Sequence, residues 1–287
     1  MRRSLISLGL AALVILIWPA MAQAATLVPL GTAGNYAVLA GTTITNAGPG
    51  SWITGMVGLS PGSSITGFPP STSGNQDIAN PAAVTAKSDL ATAYTNAAGQ
   101  GPCTGVGPAL DGLTLVAGTY CSGTMGLTGT LTIDGGGVTT GVWIFQMAST
   151  LITGAGARVS LINGAQPCDI FWQVGSSATI GAGTTFVGNI MALTDIGMFS
   201  GATLNGRAMA RNGQVTLQTN RIIQPSGCGY GIPTYVAPPP GTALPATLGV
   251  PLELLRAIPW LLVIGVGGAL GAIALGVSSA RRRRRTA

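Results

Sequence analysis

Apolar and polar positions alternate along much of the chain in short runs of period two. Val215 and Leu217 against Thr216 and Gln218 are an example, and the pattern predicts strands with one face buried and one face exposed. The runs also repeat. GTTFVGNIMA at 183–192 and GATLNGRAMA at 201–210 share Gly183/Gly201, Thr185/Thr203, Gly188/Gly206, Met191/Met209 and Ala192/Ala210, five of ten positions at an offset of 18 residues. Extended upstream, the same register aligns Gln146-Met147, Gln173-Val174, Met191-Ala192 and Met209-Ala210, with steps of 27, 18 and 18. The nine extra residues of the first step surround Asn163-Gly164-Ala165-Gln166-Pro167-Cys168 and predict a loop let out of one turn. A repeat this short cannot bury its own apolar face, so it acts as a stacking unit. The prediction is a mainly β fold, a β-solenoid in which each turn makes three short strands with glycine at the corners. Tyr36–Thr45, Ser51–Thr66, Leu113–Tyr120 and Leu127–Ile133 fit as looser turns, whereas a β-sandwich would not require a constant register.

One segment breaks the pattern. Asn75–Gln100 is rich in alanine, with Asn80 placed to cap a helix, Pro81 at its first position and Gly99 at its stop. Ile78, Ala82, Ala86, Leu90, Ala93 and Ala97 recur at helical spacing, with Lys87 and Asp89 off that stripe. A helix over about 81–98 would span about 27 Å, the height of five or six stacked strands, and cover one flank of the solenoid.

The two ends read differently. Arg2 and Arg3, the apolar run Leu5–Trp18 and Ala22-Gln23-Ala24 predict a secretory signal peptide over 1–24, with the mature chain starting at Ala25 and the folded domain over 25–229. Residues 230–250 are rich in proline and predict an extended spacer. Ala257–Ala280 carries no charge and is followed by Arg281–Arg285, which predicts a C-terminal transmembrane helix within 251–280 and a basic cytoplasmic tail over 281–287. Leu244-Pro245-Ala246-Thr247 resembles a sortase sorting signal, but Leu248 stands where that signal has glycine, so a retained membrane anchor is the expectation. The chain is therefore expected at the cell surface, with the membrane as one partner; its oligomeric state is left open.

The formal charge of +6 is concentrated at the ends: seven of the thirteen basic residues are Arg2, Arg3 and Arg281–Arg285. The exported part keeps Lys87, Arg158, Arg207, Arg211 and Arg221 against six aspartates, so it has no clustered basic face for nucleic acid. Four cysteines in an oxidising compartment suggest disulfides. Cys103 with Cys121 is the local pair, and Cys168 with Cys228 follows by elimination unless both stay as buried thiols. Without histidine or C-x-x-C, no zinc site, metal or cofactor is expected. Scattered aspartates and the absence of any Ser/His or Cys/His arrangement argue against an enzyme. Trp143, Phe145, Phe171, Trp172 and Phe186 are assigned to the core.

Several blocks, in order, carry a family resemblance: LGTAGNYAVLAGTTITNAGP (30–49), GLSPGSSITGFPP (58–70), LTLVAGTY (113–120), GLTGTLTIDG (126–135), VWIFQMASTL (142–151), LINGAQPCDIFWQVGSSATIGAGTTFVGNIMALT (161–194) and GATLNGRAMARNGQVTL (201–217). From Leu30 to about Ile223 the chain closely resembles the DUF3494 ice-binding protein family. The resemblance implies a right-handed β-solenoid of triangular section with a long helix packed alongside, and adsorption to ice through one flat face. That function would inhibit growth or recrystallisation of ice, or attach cells to it. The family's ice-binding strands are similar to Thr-Gly/Ala-x-Thr/Asn. The matching tetrads here are Ala155-Gly156-Ala157-Arg158, Ala182-Gly183-Thr184-Thr185, Ser200-Gly201-Ala202-Thr203 and Gln218-Thr219-Asn220-Arg221. They imply Thr184, Thr185, Ser200, Thr203, Thr219 and Asn220 as candidate ice-binding residues, while Arg158 and Arg221 depart from the pattern. The alternative is a cell-surface structural or adhesion module of the same fold with weak or no ice binding. A carbohydrate-active enzyme comes third.

Overall fold

The computed structural model describes residues 24–48, 50–68, 75–137 and 139–228. The signal peptide, spacer, transmembrane segment and basic tail expected from the sequence lie outside the described residues. Among the described residues no helix is long and apolar enough to cross a membrane.

The strands pair in parallel and form three stacks. The first contains, in order, Gln76–Ile78, Met56–Leu59, Tyr36–Ala40, Thr203–Ala210, Thr185–Ala192, Ile170–Val174, Trp143–Met147, Gly118–Ser122 and Thr104–Gly105. The second runs through Thr114–Leu115, Thr130–Asp134, Arg158–Ile162, the starts of Thr185–Ala192 and Thr203–Ala210, then Arg221–Ile223 and Trp52–Thr54. The third is an unbroken ladder of Met125–Leu127, Leu151–Thr153, Ala178–Ile180, Ile196–Met198, Val215–Gln218, Thr43–Ala47 and Ser64–Thr66.

The eighteen-residue register is physical. Thr185 pairs with Thr203, Gly188 with Gly206, Met191 with Met209 and Ala192 with Ala210. Gln146 pairs with Gln173, and Gln173 with Met191. The two eight-residue strands belong to both the first and the second stack and pass between them at Gly188 and Gly206. A Cβ on Gly206 would run into the Gly188 carbonyl oxygen, and Gly188 itself has φ +110°, so both places need glycine.

Inward residues make the main core. Tyr120, Phe145, Trp172 and Phe186 stack along the axis, with successive ring centroids 5.6, 4.0 and 4.8 Å apart. The indole N–H groups are satisfied: Trp143 donates to Leu115 O at 3.1 Å and Trp172 to Val187 O at 2.9 Å. Both disulfides expected from the sequence are present, Cys103–Cys121 and Cys168–Cys228.

A second core lies outside the first stack. Leu39, Met209, Met191, Phe171 and Ile144 are covered there by the N-terminal segment and by the helix Pro81–Gly99. The Asn80 side chain caps this helix by accepting from Ala83 N at 2.9 Å. The buried stripe is Ala83, Ala86, Leu90, Ala93, Tyr94 and Ala97. It differs from the expected stripe at Ile78, at Ala82 and at Tyr94. Ile78 falls in the preceding strand and is exposed, and the helix is turned so that Ala83 rather than Ala82 faces inward.

Tyr94 sets that rotation, because its hydroxyl donates to Val174 O at 3.1 Å and accepts from Gln173 Nε2 at 2.7 Å. Two charged residues expected off the stripe also fasten the helix. Lys87 Nζ donates to Ala210 O and Arg211 O at 2.6 and 2.5 Å, and burial, with Arg211 nearby, lowers its pKa to about 8. Asp89 accepts from Thr32 N at 2.7 Å and from Thr32 Oγ1 at 2.6 Å.

Candidate functional site

A surface that meets an extended partner must be uncovered, and the helix removes the first stack from consideration. Among the described residues the second and third stacks remain open. The four tetrads lie where the chain turns from the third stack into the second, and the corner explains their composition. Their second members, Gly156, Gly183, Gly201 and Thr219, have φ +70°, +65°, +74° and +52°, the left-handed region that favours glycine. Their third members, Ala157, Thr184, Ala202 and Asn220, are buried. Their fourth members, Arg158, Thr185, Thr203 and Arg221, pair side by side and point out from the second stack.

The candidates therefore separate. Thr185 and Thr203 are adjacent on the open face, each half-buried. Ser200 is exposed on the corner, and Thr219 sits beside it in the strained conformation. Thr184 and Asn220 are not surface residues, because the third position of the tetrad turns inward. Thr184 Oγ1 donates to Gly154 O at 2.9 Å and lies 3.1 Å from Thr153 Oγ1. Asn220 Nδ2 donates to Phe199 O and Ala202 O at 2.7 and 3.2 Å, while Asn220 Oδ1 accepts from Gln218 N at 2.6 Å. Both polar groups fasten the corner from inside.

The outward column of the second stack reads Thr130, Arg158, Thr185, Thr203, Arg221, Trp52. Beside it stand Thr132 and Ser160 at one end and Asn205, Ile223 and Thr54 at the other. The third stack offers a second open column that the tetrads did not reveal: Gly126, Ile152, Thr179, Gly197, Thr216, Thr45, Thr66. Period-two alternation in 215–218 was the signal for it, and Thr45 Oγ1 lies 3.4 Å from Thr216 Oγ1. Sequence reasoning also missed that Arg207 is internal. It is 2% exposed and donates to Gly34 O and Asn189 Oδ1, each at 2.9 Å.

The aspartates are spent on turns and on fastening elements together. Asp111 accepts from Thr128 N and Gly129 N, and Asp134 from Gly136 N and Asn163 Nδ2; these bonds hold both carboxyls below the usual range. Asp77 accepts from Tyr36 OH, and Asp195 from Gln214 N. Asp169 lines a recess of about 530 Å³ beside the Cys168–Cys228 bridge, and burial pushes its pKa up to about 6. Among the described residues no group of three or more His, Cys, Asp or Glu comes together.

The geometry has counterparts. The family described as ice-binding-like matches residues 38–223. An ice-binding protein of Nostoc sp. (strain HG1) is 43% identical over 234 residues, covering 79% of this chain and 85% of that protein. One from Flavobacterium frigoris (strain PS1) is 38% identical over 221 residues, covering 71% and 78%. Among solved structures, an ice-binding protein from an Antarctic biological consortium superposes with a TM-score of 0.68 at 42% identity, covering 72% of this chain and 95% of that one. One from the Antarctic ascomycete Antarctomyces psychrotrophicus gives 0.67 at 37% identity, covering 70% and 99%. The solenoid thus accounts for nearly the whole of these solved chains.

Proposed function

This chain belongs to the ice-binding-like family, and from that premise we propose that it binds ice through the open face of the second stack, centred on Thr185 and Thr203. The observation that carries this reading is the in-register pair of threonines on a face that no other element covers among the described residues. Along the axis such a column repeats at about 4.8 Å, and along a strand same-face residues recur at about 6.7 Å, so the backbone itself sets a regular two-dimensional spacing. Threonine adds a hydroxyl and a methyl on a side chain stiff at χ1, and little rotamer freedom is lost when water orders against it. Water held in that pattern merges with a growing crystal. An adsorbed molecule then forces the ice front to curve around it, which opposes further growth.

Nothing in this mechanism makes or breaks a covalent bond. The right-handed sense and triangular section implied by the family resemblance are part of the same proposal. So is display at the cell surface, by export through 1–24 and retention through 251–280, with the proline-rich 230–250 as the tether. A cell carrying the protein would hold ice at its surface or limit recrystallisation around itself.

The test is thermal hysteresis and recrystallisation inhibition by residues 25–229, with circular dichroism on the same sample. Faceted crystals and small grains are expected. A folded domain that leaves ice rounded and coarsening would overturn the reading. For the anchor, the full chain should sediment with membranes and a chain ending at Gly229 should not.

A further inference from the structure

At one end of the threonine column the small side chains give way to Arg221 and then to Trp52, cross-strand partners where the last turn of the repeat meets an N-terminal strand. Trp52 is 60% exposed, the largest apolar side chain so displayed among the described residues, and it faces neither core. Its indole and the Arg221 side chain line a shallow recess of about 420 Å³. Arg221 also lines a second recess of about 350 Å³ together with Thr185, Thr203, Asn205 and Ile223. The two recesses share one guanidinium and continue along the column. Among the described residues that guanidinium makes no hydrogen bond or ion pair.

These groups are poorly suited to an ice lattice. Arg221 is long and mobile, and a bare indole breaks the run of small side chains. They suit a sugar well. An aromatic face takes the C–H face of a pyranose ring, a guanidinium fork takes a carboxylate through two parallel hydrogen bonds, and threonine and asparagine side chains take ring hydroxyls. A lone arginine beside an aromatic is too little cationic surface for nucleic acid, which needs a clustered basic patch.

We propose that Trp52 and Arg221 form a binding site for a polysaccharide carrying uronic acids, with one pyranose ring on the indole, its carboxylate on the guanidinium, and the chain running along the column toward Thr203. The site adjoins the proposed ice-binding threonines, with which Arg221 shares a recess, and would let the same domain hold an acidic extracellular matrix.

The probe is polygalacturonate, with neutral dextran as the comparison, added to residues 25–229. Trp143 and Trp172 are fully buried, so Trp52 is the one exposed indole among the described residues and reports binding by its fluorescence. Polygalacturonate is expected to quench and blue-shift the emission and to retard the domain in affinity electrophoresis. Trp52→Ala should abolish retardation, and Trp52→Phe should restore part of it. Arg221→Gln should weaken binding to polygalacturonate about tenfold, toward its value on dextran, the loss of one charge-assisted contact. Circular dichroism and melting of each variant should match the parent, since both side chains are exposed. No retardation of the parent domain by polygalacturonate would overturn the proposal. So would retardation undiminished in folded Trp52→Ala, or equal binding of dextran and polygalacturonate that Arg221→Gln leaves unchanged.

Discussion

Thr185 and Thr203 stand directly beside each other in neighbouring parallel strands, eighteen residues apart in the chain, and both face outward from the stack that the helix leaves open. Their pairing turns a repeat in the sequence into a repeat in space, and it makes the proposed surface testable by a single bulky side chain.

Thr203→Tyr should lower thermal hysteresis several-fold without changing the melting temperature, because Thr203 points outward from the second stack and the new ring can extend into solvent. Thr216→Tyr makes the same change on the other open face and should leave hysteresis near the parent value. Hysteresis measured with ice shaping on both variants checks this. The reverse outcome would move the ice-binding surface to the third stack.

Gly206→Ala should be among the most damaging single-methyl changes in the domain. The added carbon meets the Gly188 carbonyl, which is backbone and cannot rotate away. A loss of about 3 kcal/mol is expected in chemical denaturation, the scale of overpacking in a closed site. Gly183→Ala has open space around its Cβ and only its φ of +65° against it, so about 1 kcal/mol is expected there. Equal costs would mean that close approach plays no part at Gly206.

Thr219 occupies the corner place that glycine holds at 156, 183 and 201, at φ +52°. A β-branched residue is strained there. Thr219→Gly should therefore stabilise the domain by roughly 0.5–1 kcal/mol, net of the extra freedom glycine gives the unfolded chain. A lower melting temperature would show that the Thr219 side chain contributes more than its backbone costs.

Asp169 ionises with difficulty in the fold, its pKa raised from 3.8 to about 6 by burial. The folded protein binds that proton more tightly than the unfolded chain does. This contribution to stability is complete below about pH 4 and is lost as pH rises through 6. Asp169→Asn should accordingly stabilise the domain at pH 7 by about 1 kcal/mol, less than full charge burial because half of the group meets solvent. Melting curves between pH 4 and 7 should be flatter in the variant, and a slope equal to the parent's would remove Asp169 as the titrating group.

The register was legible in the sequence because residues that stack at one height must be interchangeable: Met191 with Met209 and Gly188 with Gly206 are the same packing problem met twice. The disulfide Cys103–Cys121 was legible from its short intervening loop, and the helix from Asn80 and Pro81. The candidate site was only half legible. The tetrads mark a corner correctly, but which of four positions turns outward depends on how the corner folds. Thr184 and Asn220 look like surface hydroxyl and amide groups in the sequence and are interior fasteners in the structure. Trp52 carries no repeat signal at all.

The period, the strand faces, the glycine corners and the helix could be read from the chain alone, since each follows from local spacing and from side chains that must alternate between core and water. The order of the turns became visible only in the fold. The first strands of the chain pair with the last turn of the repeat, Val38 beside Ala208, Thr45 beside Thr216 and Trp52 beside Arg221, and the helix then carries the chain from Ile78 back to the opposite end at Thr104. The physical reason is that a stack ends in an edge of unpaired N–H and C=O groups, and any parallel strand of the right length can satisfy it. That backbone demand leaves no trace in side-chain periodicity. It is what sets Trp52, far away in the chain, next to Arg221.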